Sequence, residues 1–556
     1  MTNSKVNGMD RSVYPGPTSA SLGPRYAWSV PGFSIERPSG NPDTPELWCY
    51  ADRFSYRPGE TVRIHVHTTA QKYNIEIVRD GASPLRVWSR VGQAGEAHET
   101  PVDAYERGCG WPVSVSFDID ENCLSGFYLI VVSMEMGGRT YEREGFFVVR
   151  GQDRPHRPSH VLVLTTSTMT AYNDWGGANH YRGLGNDPYT DIASPRLSTQ
   201  RPVARGMLRQ PIGAPRASFP GVLELGALPR HPSYEWAHVH GYSRHAADAF
   251  WATYERPFVV WAESQGYALE YLTQHDLHED PGCLDSYACV TFVGHDEYWT
   301  WEMRDTVERY VKNGGNVARF GGNFIWQVRL EEGGTRQVCY KLPELDPLYE
   351  INPSRTTTAW DAPCVSRPGA WTMGLTGTAG CYNRYGTAAP RSSGGYTVYR
   401  PRHWVFDNTD LNYGDVFGAA PVCVAGFELD GVDYTFRHGL PYPTFEDGAP
   451  ETLEILAMTP AVVGEIDKWN GAVPLGAPES EVKSFLQTVF ADQLPERFRG
   501  ECYGSGMVAT FMQGKGNVFN AGSTEWVNGL IHADPFTEQI THNVLRRFGG
   551  GNSPDS

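Results

Sequence analysis

The chain has 556 residues, with 47 basic against 64 acidic groups and a formal charge of −17, so it lacks the basic face that a nucleic-acid or anionic-membrane binder needs. Charged residues are 20% and hydrophobic residues 40% of the sequence, which excludes a disordered chain. No window approaches the ~20 consecutive apolar residues of a membrane-crossing helix, so no membrane role is expected.

The opening stretch, MTNSKVNGMDRSVYPGPTSASLGP, has no apolar core of the secretory type and reads as an extended arm over residues 1–45. The ten cysteines form no CxxC pair, and with no export signal they are expected to be reduced, buried and cytoplasmic. Residues 46–150 carry the alternating run Val62, Ile64, Val66 and then the segments VSVSFDI, GFYLIVVSMEM and REGFFVVR. Period-2 patterning between Gly, Pro, Asn and Asp turns predicts an immunoglobulin-like β-sandwich.

Residues 151–330 are expected to hold the first half of an α/β core. A linker, Gly151–His160, leads to the apolar run Val161–Leu164, read as a buried parallel strand that passes into a loop. An Arg-, Pro- and Gly-rich stretch without periodicity continues to about Gly241. Phe250, Tyr254, Phe258 and Trp261 then fall on one helical face, with Pro257 as a kink or a fresh start. ALEYL and SYACVTFVG read as the second and third strands. A helix from Thr300 carries Met303, Val307, Tyr310 and Val311, and NVARFGG is the fourth strand. This alternation indicates a parallel sheet. Residues 331–440 read as a β-rich insertion, and 441–556 as the second half of the core, with a strand at Val518–Ala521 and a closing helix at about Pro535–Phe548.

Ligands of open parallel sheets bind beyond the carboxyl ends of the strands. Three segments fall there: Thr170–Gly177 (TAYNDWGG), Gly294–Trp299 (GHDEYW) and Gly321–Trp326 (GGNFIW). Glu297 is suited to hold a metal or act as a base, and His295 to move protons near neutral pH. Against this stands the reading in which Asp296 and Glu297 merely cap the helix from Thr300. Cys289 lies inside its strand, and neither G-x-S-x-G nor HExxH is present at this point, so a metal-activated water is favoured over a thiol or serine nucleophile. Carboxylate and tyrosine ligands suit a hard ion such as ferric iron. His238, His240 and His245 read as a solvated patch, and His275 and His278 as turn caps.

YNxWGG, the Arg201-Pro202 pair, WAESQGYALEYLTQHDLH, GHDEYW and GGNxxW together resemble the large-subunit family of N,N-dimethylformamidase, over about Arg150 to Ser523. The resemblance implies a glutamine amidotransferase-like α/β core and a mononuclear iron (Fe3+) held by two tyrosines and a glutamate. It also implies hydrolysis of a small N-substituted formamide to formate and amine. Carried over by motif, Tyr172 and Glu297 are ligands, His295 and Asn323 are catalytic, and Glu465 in Gly464–Asp467 supplies a further acid. The second tyrosine has no motif match after Arg201-Pro202. Tyr242 is taken for that place, with Tyr234 or a different third ligand as alternatives; only if Tyr172 is itself no ligand is the set to be sought among Tyr181, Tyr234 and Tyr242. The implied partners are a small-molecule amide and either a homo-oligomer or a small accessory subunit. The competing function is a non-catalytic ligand- or glycan-binding protein on the same fold.

Overall fold

A computed structural model describes residues 35–152, 158–184, 192–216, 232–379, 393–426, 428–462, 486, 489–490, 493–496 and 503–550. Leu47–Ala51, Thr61–Thr68 and Val115–Asp118 form a three-stranded sheet. It faces a five-stranded sheet of Ser55–Tyr56, Arg139–Val149, Gly126–Met136, Lys72–Arg79 and Leu85–Ala94. Alternate side chains from both, Ile64, Val66, Ile75, Ile77, Ile130 and Val132 among them, share one buried cluster, as period-2 strands require.

The opposite face of the five-stranded sheet packs on the second unit. Phe127 stacks on Trp251 with ring centroids 3.9 Å apart, and Phe146 meets Phe250 at 5.0 Å. Asp80 accepts from Trp251 Nε1 at 2.8 Å and from Arg256 Nε at 2.9 Å. The sandwich thus buttresses the segment that leads into the site.

The second unit is built on a nine-stranded sheet. In chain order its elements are β1 (His160–Leu164), α1 (Thr166–Tyr172), α2 (Glu255–Ser264), β2 (Leu269–Thr273), α3 (Gln274–Glu279), β3 (Cys289–His295), α4 (Trp301–Lys312), β4 (Asn316–Gly322), β5 (Tyr396–Val398), β6 (Val416–Phe417), β7 (Glu454–Val462), β8 (Tyr503–Gln513), β9 (Gly516–Asn520) and α5 (Pro535–Phe548). The strand order is β2-β1-β3-β4-β9-β8-β7-β5-β6, parallel from β2 to β9 and antiparallel beyond. β1 and β3 are buried along their whole length, which is why they read as continuous apolar runs. Two strands of the 331–440 stretch, β5 and β6, extend this sheet. Among the described residues, no helix is long and apolar enough to cross a membrane, and none of the eight described cysteines is in a disulfide.

Two local readings differ from the structure. The residues after β1 form helix α1 instead of a loop. Its Thr/Ser-rich sequence carries no apolar stripe, and it is secured from outside: Gln274 Oε1 accepts the Ser167 N–H at 2.9 Å, satisfying a first-turn donor. The helical face expected from Phe250 begins only at Glu255, because Phe250 has a φ of 74°, which no helix accommodates. Pro257 falls in the first turn of α2, where its missing N–H costs nothing.

Arg319 of β4 ties the carboxyl edge together. It is fully buried between Asp296, 3.0 Å from its Nε, and Asp430, which Nη1 contacts. Asp430 in turn accepts the Phe324 N–H at 3.0 Å. Arg319→Met leaves two buried carboxylates uncompensated, and is expected to lower stability by ~3–5 kcal/mol. A denaturation midpoint within ~1 kcal/mol of wild type would show that these carboxylates need no countercharge.

Candidate functional site

The site forms where α1, β3 and β4 end. At the exit of β3 the chain stays extended, so alternate side chains diverge. Asp296 points back to Arg319 and accepts from Trp299 Nε1 at 2.7 Å, while His295 and Glu297 point forward together, with His295 Nε2 3.2 Å from Glu297 Oε2. The helix after this turn is capped by Thr300, whose hydroxyl accepts from the Met303 N–H at 3.2 Å. Neither acidic residue caps that helix. Gly294 has a φ of 76°, and a Cβ there would stand 2.2 Å from the Cβ of Tyr254, so the strand can turn here only with glycine. The turn is held by Thr168 Oγ1, which accepts the Glu297 N–H at 3.0 Å, and by the Glu297 carbonyl, which accepts from Trp326 N at 3.0 Å.

The YNDWGG and Arg-Pro motifs build the second wall. Arg201 is buried, and its guanidinium donates to the carbonyls of Asn173 (2.8 Å), Trp175 and Ala178, clamping the turn after Tyr172. Asn173 donates to Pro202 O at 2.9 Å and accepts from Ala204 N at 3.0 Å. Asn179 donates to Tyr172 O at 2.9 Å and accepts from Tyr181 N at 2.8 Å, folding the chain back so that Tyr181 returns beside Tyr172.

Four oxygens then converge on a fifth, that of Tyr181. The Tyr181 hydroxyl lies 2.9 Å from the Tyr172 hydroxyl and 2.9 Å from each oxygen of Glu297, and the Tyr298 hydroxyl donates to it at 2.7 Å. Trp326 Nε1 donates to Glu297 Oε1 at 2.7 Å. Burial, reinforced by the Glu297 charge, holds the phenols of Tyr172, Tyr181 and Tyr298 well above their ordinary range. Burial opposes the charge on Glu297, but the His295 hydrogen bond and the Lys341 cation outweigh it and keep the carboxylate below its usual range. Lys341 has a φ of 63° and sets its Nζ 3.5 Å from the centre of the Tyr181 ring, a cation–π contact against the same cluster.

On the other side stand His295, Glu428 and Asn323. His295 Nδ1 donates to the Asp248 carbonyl at 2.7 Å, which fixes the ring. Its Nε2 lies 2.8 Å from Glu428 Oε2, 3.1 Å from the Asn323 side-chain nitrogen and 3.5 Å from the Tyr172 hydroxyl. Burial disfavours the imidazolium, yet the carboxylates of Glu428 and Glu297 prevail and hold it well above its ordinary value. Burial, with Glu297 and Asp248 nearby and His295 opposing, pushes Glu428 up. Asn323 sits at a φ of 64°, a left-handed conformation that asparagine tolerates, directly after the glycine pair ending β4.

Of the residues expected from sequence, Tyr172, Glu297, His295 and Asn323 meet here. Tyr242 does not: its ring lies under the Arg205 guanidinium at 4.3 Å and beside Trp236 at 5.1 Å. The tyrosine beside Tyr172 is instead Tyr181, because the Asn179 turn returns the chain to Tyr172. Glu465 lies outside the described residues, and Glu428 is the second carboxylate at His295. Trp326 closes the GGNFIW motif, whereas Glu428 and Lys341 carried no motif of their own; they come from separate irregular segments, which periodicity does not connect. His245, expected to be solvated, is buried, with Nδ1 2.8 Å from Asp248 Oδ2. His275 is also buried, bonded to Thr166 at 2.9 Å.

The chain matches a family model described as N,N-dimethylformamidase beta subunit-like, C-terminal, over residues 74–539. It is 26% identical over 199 residues to the N,N-dimethylformamidase beta subunit of Paracoccus aminophilus, covering 32% of this chain and 24% of that one. It is 25% identical over 371 residues to the N,N-dimethylformamidase beta subunit of an Alcaligenes species, covering 58% and 42%. The matches therefore span less than half the length of either relative. Among solved structures, a β-glucuronidase from Parabacteroides merdae overlaps 47% of this chain and 26% of its own at 7% identity, and its TM-score of 0.13 carries no argument about fold.

Proposed function

From the premise that the chain belongs to the N,N-dimethylformamidase beta subunit-like family, we propose that it is an iron-dependent hydrolase of small linear amides, releasing a carboxylic acid and an amine. The observation that carries this reading is the position of the Tyr181 oxygen, within 2.9 Å of Tyr172 and of both Glu297 oxygens. One phenolic proton serves one acceptor, yet three surround it. That surplus of hard oxygen donors fits a hard cation better than a hydrogen-bond network. Tyr172, Tyr181 and Glu297 would hold the metal, and phenols this deeply buried ionise only beside such a cation. The amidotransferase-like reading of the parallel sheet belongs to the same proposal.

When bound, ferric iron supplies Lewis acidity to the amide carbonyl or to a water. The protein supplies the rest. His295, its ring fixed by the Asp248 carbonyl, holds a proton at Nε2 between Glu428 and Glu297 and delivers it to the departing amine. Glu428, with its raised proton affinity, takes a proton from the attacking water. The Asn323 amide donates to the oxygen on which charge develops. Trp299, Trp326 and Tyr298, all buried, keep bulk water from the reacting groups. Because the named relatives are beta subunits, a second kind of subunit completes the proposed assembly.

The test is metal analysis and visible absorption of the purified chain, followed by hydrolysis of formamide, N-methylformamide, N,N-dimethylformamide and acetamide. Near-stoichiometric iron, a tyrosinate charge-transfer band and amine release are expected. A colourless, iron-free protein that binds amides without cleaving them would instead be a binding protein.

A further inference from the structure

A carbonyl that orients a catalytic imidazole has to be placed as accurately as the imidazole itself. The Asp248 carbonyl, 2.7 Å from His295 Nδ1, lies in the stretch 241–254, which forms neither helix nor strand. No ladder of main-chain hydrogen bonds therefore fixes it. Side chains and one turn bond do so instead. The Ser243 hydroxyl donates to Asp174 Oδ2 at 2.8 Å and accepts the His245 N–H at 3.1 Å. The His245 carbonyl accepts the Asp248 N–H at 3.1 Å. Burial pushes the His245 imidazole down to about 4, so near neutral pH the ring carries one hydrogen. It gives that hydrogen from Nδ1 to Asp248 Oδ2 at 2.8 Å, because a carboxylate only accepts.

The same turn is tied to the wall that carries the tyrosines. Asp174 stands two residues beyond Tyr172, in the stretch that Arg201 clamps. The His245 ring is 3% exposed and packs against Tyr172 at 5.3 Å and Tyr181 at 5.6 Å between centroids. Two routes thus run from the tyrosine wall to the Asp248 carbonyl and so to His295, one through Asp174 and Ser243 and one through the His245 ring. A carbonyl also only accepts, so the hydrogen it receives stays on His295 Nδ1. The hydrogen that can move is the one at Nε2, between Glu428 and Glu297. Displacing the carbonyl frees the ring to rotate and takes Nε2 out of line.

We propose that Ser243 and His245 are positioning residues: they set the Asp248 carbonyl against the tyrosine wall and thereby hold the His295 proton in register with the tyrosine and glutamate oxygens. This rests on the amidohydrolase reading and adds to it how the general acid is oriented. Neither side chain hydrogen-bonds to Tyr172, Tyr181 or Glu297, so its loss acts on the orientation of His295 and leaves the oxygens of the cluster in place.

The test compares Ser243→Ala and His245→Phe with the conservative Ser243→Thr and His245→Asn, measuring kcat and KM for N,N-dimethylformamide, iron content and crystal structures. Threonine keeps the hydroxyl, and asparagine sets an amide N–H where Nδ1 stood. Misplacement of a catalytic group by about 1 Å costs up to ~10²-fold, so Ser243→Ala and His245→Phe should lose about 10–100-fold in kcat, with KM within about threefold and iron unchanged. The threonine and asparagine variants should recover most of that loss. Both residues act on one carbonyl, so the double variant should lose little more than the worse single one. Wild-type kcat in Ser243→Ala and His245→Phe overturns the proposal, as does an equal loss in the conservative pair or a loss that falls on KM or iron. Should His245→Phe fail to fold, Ser243→Ala decides, since it deletes one oxygen and keeps the packing. Should no amide turn over, the hydrolase reading has failed, and the crystal structures still decide the positioning role. A contact between His295 Nδ1 and the Asp248 carbonyl that is broken in Ser243→Ala and kept in Ser243→Thr supports it, and a contact kept in both removes it.

Discussion

Glu297→Gln is expected to release the metal and abolish amide hydrolysis while the chain stays folded. Both Glu297 oxygens face the Tyr181 hydroxyl, Oε1 also accepts from Trp326, and Oε2 lies beside His295. Glutamine keeps the volume and one acceptor, so the Trp326 contact and the packing survive. It turns the other oxygen into an N–H donor aimed into a cluster that needs acceptors, and it removes the charge that offsets His295 and Lys341. The expected loss of rate is at least ~10²–10³, the range for removing one preorganised electrostatic partner, with the loss of metal adding to it. Iron content and a melting curve check it. A folded variant that still binds a full complement of iron would place the metal elsewhere and remove Glu297 from the ligand set.

What could be read from sequence follows from how local each signal is. β1, β3 and β4 announce themselves as short apolar runs because both of their faces are covered, and α4 because Thr300 caps it and Met303, Val307, Tyr310 and Val311 share its buried face. His295, Glu297 and Asn323 were legible because strand ends of a parallel sheet collect ligands, and GHDEYW and GGN sit at two such ends. Helix α1 was not legible, since its first donors are satisfied by Gln274, about a hundred residues away in sequence. Glu428 and Lys341 were missed for a related reason: each approaches from an irregular segment, and only the folded chain shows that Asp430, two residues beyond Glu428, is anchored by Arg319. The same holds for His245. Three histidines in eight residues suggest a wet loop, and the structure buries this one against Tyr172.

The second tyrosine is the sharpest case, and it yields the last expected result. Motif order points to the stretch after Arg201-Pro202, and so to Tyr242. Geometry points to Tyr181, because Arg201 and Asn179 fold the intervening turn back on Tyr172. The two tyrosines are separable by the loss of one oxygen. Tyr181→Phe retains the ring under Lys341 and the packing on Tyr172, whose centroid is 4.7 Å away. It removes the oxygen shared by Tyr172, Tyr298 and Glu297, so iron affinity should fall by at least about 10–100-fold, the range already seen for losing an outer partner of a metal ligand. The visible band should weaken or shift with it. Tyr242→Phe keeps its ring against Arg205 and Trp236 and should leave colour and iron unchanged. The opposite pattern, with colour lost in Tyr242→Phe and kept in Tyr181→Phe, would mean that the 232–242 segment rearranges to bring Tyr242 to the metal. The convergence of oxygens at Tyr181 would then be a hydrogen-bond network only, with Tyr298 donating into it and Glu297 receiving from it.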